Sequence, residues 1–209
     1  MAFVDNLLYQ LFAVGSVGVL TFYIALSVYL AYRRSSRKGS RVDITGILEG
    51  GMVPLTIIAV YLLISGVVGQ LLWPLPGAYN ILFYDPMISL ALVLLGFSWC
   101  VYKSKKLHYV GLFALLTGIL TGVYGITGYM LGFTKSPIAL LGMFGSFGIA
   151  GILAFPMALM VDGGSAAMAR RKNFWLAVVI LFLLFLAIGT VIAFLLAQQS
   201  IYPHLSSPP

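Results

Sequence analysis

Six long apolar runs, each bounded by charged or turn-forming residues, constrain this chain more than any other feature. They fall at about residues 7–32, 51–73, 87–102, 109–133, 138–161 and 174–197. A hydrocarbon layer about 30 Å thick takes about 20 apolar residues of helix to cross. All six are long enough to serve, the third being the shortest. They are continuous rather than alternating, which argues against a membrane β-barrel. The expected fold is all-α, an integral membrane bundle of six transmembrane helices forming a single domain over residues 1–209.

Composition agrees. Of the 209 residues 61% are hydrophobic and 8% charged, against about 25% charged in ordinary soluble domains, and the mean hydropathy is +1.06. Short loops leave no space for a second, soluble domain. A formal charge of +7 would suit nucleic acid if the charges were spread over a surface, but eleven of the 12 basic residues lie in three connections. These are Arg33, Arg34, Arg37, Lys38 and Arg41, then Lys103, Lys105 and Lys106, then Arg170, Arg171 and Lys172. Short Lys/Arg-rich loops stay cytoplasmic. That places both termini outside, with Lys135 the one basic residue on the outer side, in the cell membrane with no nucleic-acid partner. The first run follows uncharged residues and exceeds a signal h-region, so it is read as an uncleaved anchor.

Two helix starts are expected on the outer side, Asp85-Pro86 for the third span and Ser136-Pro137 for the fifth, each an N-cap acceptor before a proline. Close helix contact in lipid depends on small residues. The fourth run carries Gly118, Gly122 and Gly125, and the fifth carries Gly142, Gly145 and Gly148. These two helices are expected to cross closely at the centre, with the second as third member and the sixth, nearly all aliphatic and aromatic, facing lipid.

Polar residues inside the runs are the candidates for chemistry. Glu49 and Asp162 lie near cytoplasmic helix ends, with Pro54 and Pro156 nearby to free the carbonyls of Gly50 and Ile152, an arrangement that could hold a cation or proton. The plainer alternative, hydrated interfacial acids paired with neighbouring cations, weighs more because neither acid is at mid-membrane depth. Thr117, Thr121 and Tyr124 share a face of the fourth helix, and Tyr61 and Ser65 a face of the second. With Ser146 they could line a polar path for an ion or small solute, or serve as interhelical hydrogen bonds, the more frequent use. No metal or other cofactor is expected, since His108 and His204 lie at opposite ends and cannot share a haem. An intramembrane protease needs a histidine or a second aspartate within the membrane, and neither is visible.

The segment Trp73-Pro74-Leu75-Pro76-Gly77-Ala78-Tyr79-Asn80-Ile81-Leu82-Phe83, with Asp85-Pro86 and the glycine-rich fourth and fifth helices, resembles a family of archaeal and bacterial membrane proteins catalogued as domain of unknown function 981. The resemblance implies a multi-pass membrane protein and supplies no catalytic residues. The first expectation is a non-catalytic subunit or scaffold of a larger membrane complex, its partners being lipids, other membrane subunits or further copies of itself. A small transporter or channel is the alternative, and an accessory subunit of a respiratory complex a weaker one.

Overall fold

The computed structural model describes residues 7–38, 43–75 and 77–206. It contains six helices and, among the described residues, no strand: α1 (Leu7–Lys38), α2 (Thr45–Leu72), α3 (Tyr79–Tyr102), α4 (His108–Met130), α5 (Pro137–Arg170) and α6 (Lys172–Ser206). Each contains a stretch long and apolar enough to cross a bilayer. Each helix packs on the next in chain order, α6 returns to α1, and α1 also touches α5. The bundle is thus a closed ring. One end carries the basic connections and the other carries the chain termini, and these serve below as the basic end and the termini end.

The helix boundaries depart from expectation where a local signal had two meanings. α3 begins at Tyr79, not at Asp85-Pro86, which lies inside the helix. Its start is organised by Asn80, whose Oδ1 accepts from the Leu75 N–H at 2.8 Å and whose Nδ2 donates to the Gly69 carbonyl at 3.3 Å. The turn is completed by Trp73, in the left-handed region at φ 50°, with its N–H on the same carbonyl. A side chain thereby ties the end of α2 to the start of α3, so the helix forms well before the proline. Ser136-Pro137 does open α5, although the Ser136 side chain makes no capping bond. α2 is one helix with Pro54 inside it. Just before it, the Thr45 hydroxyl and N–H hydrogen-bond the Asp43 carboxyl and hold it below its ordinary pKa. α5 continues past Val161 to Arg170 and is interrupted at Gly164, whose φ of 62° and ψ of −160° are not helical.

Packing follows the small residues. At the α4–α5 contact a Cβ on Gly118 would lie 2.6 Å from the Gly148 carbonyl oxygen and 2.8 Å from the Ile152 nitrogen, while one on Gly151 would lie 2.8 Å from the Gly118 Cα. Backbone meets backbone there, the approach that lipid-embedded helices need in place of a hydrophobic drive. Gly125 extends the contact to Phe144; Gly142 faces Ile192 of α6 instead, and a Cβ on Gly122 or Gly145 would meet nothing within 4 Å.

Two expectations about packing are corrected. The second helix is not the partner of α4 and α5; its Gly66 and Gly69 receive Ile88 and Tyr84 of α3. Nor is the sixth helix an outer one. Val178, Val179, Phe182, Leu186, Thr190, Ala193 and Ala197 are all buried, because Gly15 and Gly18 of α1 make room for Phe194 and Thr190. The small residues that admit α6 belong to its neighbour, which is why its own composition concealed its place. The most open helices are α2 and α4, each with 22% of its most apolar window buried against 50% for α1.

Candidate functional site

The ring surrounds a half-open cavity of about 250 Å³ to which all six helices contribute. Its walls are aliphatic, aromatic and methionine side chains, among them Val17 of α1, Met52 of α2, Leu90 of α3, Met143 of α5 and Phe182 of α6. Thr21 of α1 and Thr117 and Thr121 of α4 also line it. Thr117 donates to the Ala114 carbonyl at 3.0 Å and Thr121 to the Thr117 carbonyl at 2.8 Å. Thr117 and Thr121 are thus satisfied within their own helix, and the wall is mainly apolar.

Toward the basic end the wall passes into a polar group. Tyr32, one turn beyond the lining residue Val28, donates to the Val161 carbonyl at 3.1 Å. The neighbouring Asp162 accepts the Leu107 N–H at 2.8 Å on one carboxylate oxygen; on the other it meets the His108 N–H at 3.0 Å and His108 Nδ1 at 2.7 Å. The first N–H groups of a helix have no intrahelical acceptor, and here α5 supplies the missing carboxylate to α4. A charge at this place also suits the positive end of the α4 dipole.

Toward the termini end α1 presents Gln10 one turn before Val14. It is fully buried, and among the described residues neither amide atom has a hydrogen-bond partner. A second carboxylate lies on the far side of α3. Asp85 accepts from Gln70 Nε2 of α2 on one oxygen and from the Tyr124 hydroxyl of α4, at 2.6 Å, on the other.

The residues singled out from sequence therefore separate into several places. Thr117 and Thr121 are on the cavity wall, Tyr124 reaches across to Asp85, and Asp162 caps α4. Tyr61 is edge-on to Tyr9 with ring centroids 5.0 Å apart, and Ser65 donates to the Leu62 carbonyl at 3.3 Å. Pro54 is within α2, Glu49 is exposed and Ser146 is buried. Neither Tyr61 nor Ser65 lines the cavity. Sequence reasoning missed Gln70 and the intrahelical place of Asp85. A glutamine alone in the apolar end of the second run was the available signal, since a polar side chain inside a span calls for a partner.

No curated protein and no solved structure shows a match to this chain. A family model does match, over residues 1–207. Six apolar helices and that match together make this a multi-pass membrane protein, and the chain belongs to the family described as protein of unknown function (DUF981).

Proposed function

We propose that the chain is a non-catalytic membrane subunit whose own task is to hold one apolar molecule, or the apolar part of one, inside the ring. The observation that carries this reading is the cavity. An engineered cavity of about 150 Å³ lined by Leu, Ile and Phe takes up benzene, and this one is larger at about 250 Å³. Because the wall is half open and almost wholly apolar, a segment of acyl or isoprenoid chain drawn from the bilayer can enter and pack against it. The transport alternative has less support, because its candidate polar side chains sit in separate places rather than along one continuous path. Basic loops toward the cytoplasm remain the orientation favoured by charge.

The test is to purify the chain from its native membranes in mild detergent and to weigh it intact by native mass spectrometry. The wild type should carry one tightly held apolar molecule, and Thr117→Phe, which fills the wall of the cavity, should lose it. Equal occupancy in the two proteins would sink the proposal.

A further inference from the structure

Asp85 occupies a position that the cavity does not explain. On α3 the residues facing the cavity include Phe83, Met87, Leu90, Leu94 and Phe97. At 100° per residue, Asp85 is two positions from both Phe83 and Met87 and projects from nearly the opposite side. It shares that outer stripe with Ile81, Leu92 and Trp99, exposed by 41%, 44% and 62%. The flanks of α3 are occupied, by Gly66 and Gly69 of α2 against Ile88 and Tyr84, and by Gly128 and Val110 of α4 against Leu82 and Gly96. Asp85 is therefore half-buried on the outward side of α3, between α2 and α4.

Its depth matters as much. Asp85 is six residues, about 9 Å, inside the start of α3, below the level of Trp73 and Tyr79, the aromatic residues suited to the membrane interface. A carboxylate offers about four acceptor positions; Gln70 and Tyr124 fill two, and both are neutral. Among the described residues no lysine, arginine or histidine pairs with Asp85, the one such pair being His108–Asp162. A carboxylate on a lipid-facing surface is costly unless a cation meets it.

We infer that Asp85 is the docking point for a transmembrane helix of another protein, one carrying a lysine or arginine at matching depth near the termini side. This rests on the subunit reading above. Charge complementarity selects the occupant. A second copy of this chain offers no such cation, because its basic residues lie in the basic-end connections apart from Lys135, an exposed residue of the α4–α5 loop. A lipid ammonium would have to sink well below the interface to reach the site, whereas a lysine on a spanning helix starts at that depth and needs only its flexible stem. Exposed Val67 and Leu71 of α2 and Val123 and Ile126 of α4 provide apolar ground on either side for the incoming helix.

The experiment uses the full chain in phosphatidylcholine vesicles, titrated by energy transfer with synthetic Leu/Ala transmembrane peptides. One peptide carries a single lysine about 9 Å inside its termini-side end, a second carries leucine there, and a third carries the lysine at the opposite depth. The first should associate at least about tenfold more tightly than the others, a difference of about 1.4 kcal/mol. Asp85→Asn, which keeps an acceptor for Tyr124 and whose folding is checked by its melting temperature, should erase the preference. Equal association of all three peptides, or a preference that survives in Asp85→Asn, overturns the inference. So does loss of the preference when phosphatidylethanolamine replaces phosphatidylcholine, because the site then belongs to a lipid head group. Self-association abolished by Lys135→Ala overturns it in favour of a second copy. Native gels of the source membranes separate this inference from the reading beneath it. A monomeric wild type removes the subunit role itself, while a large assembly that persists in Asp85→Asn removes only the docking point.

Discussion

α4 has two neighbours in the ring and is joined to them by different means. Toward α5 it presents glycine backbone, and the contact is sealed at the basic end by Asp162 on the first N–H groups of α4. Toward α3 the contact is sparser, with the cavity behind it, and Tyr124 crosses to Asp85 near the termini end. The difference teaches that one helix can serve as a fixed wall on one side and a lightly fastened one on the other. Glycine spacing makes the first kind of contact; a few polar side chains make the second.

The comparison breaks most readily at Gly118. Its missing Cβ is the condition for the α5 contact, and the atoms in the way are backbone, so Gly118→Val should force the helices apart and cost about 3 kcal/mol, measured as a lower midpoint in a denaturant titration of the full chain in micelles. Asp162→Ala comes next. It strands the N–H groups of Leu107 and His108 at the basic end of the same contact, a loss of about 2 kcal/mol; faster deuterium exchange at those two amides is the accompanying sign, and unchanged exchange would show that the cap is dispensable. On the lighter side Tyr124→Phe removes one hydrogen bond to a carboxylate and should cost about 1.5 kcal/mol. A loss as large as that at Gly118 would mean that the two contacts are equally firm. The smallest effect is expected at Gly122, on the same helix one turn from Gly118. Added carbon meets open space there, so Gly122→Ala should raise stability by about 0.5 kcal/mol through helix propensity.

How much of this was legible in the sequence varies with the kind of interaction. Six spans follow from run length, and the α4–α5 crossing follows from Gly118 and Gly148, because backbone approach requires a residue without a side chain at a definite position. The burial of α6 was not legible. In lipid, Leu and Val are equally at home on the inner and outer faces of a helix, so Val179 and Leu184, one buried and one exposed, look alike in the chain. The start of α3 was misplaced because an aspartate before a proline has the same form whether it caps a helix or projects from its second turn; the start is instead held by Asn80, five residues earlier, through Leu75 and Gly69. Of the candidate site, Thr117, Thr121, Tyr124 and Asp162 were visible as polar residues in or beside apolar runs. The partners of Tyr124 and Asp162 were not, since Asp85 and His108 come from other helices. The cavity was beyond reach in principle, because an empty volume belongs to six helices at once.

The closure of the ring by α6 against α1 has a consequence for how the protein is made. Gly15 and Gly18 are near the beginning of the chain, and the residues that fill the space beside them, Phe194 and Thr190, are near its end. While the ribosome is still adding the intervening helices, α1 stands in the bilayer with that groove open to lipid, and the cavity lacks the wall that Phe182 and Leu186 supply. Closing the ring therefore waits on α6, the helix farthest from α1 in the chain and adjacent to it in the bundle.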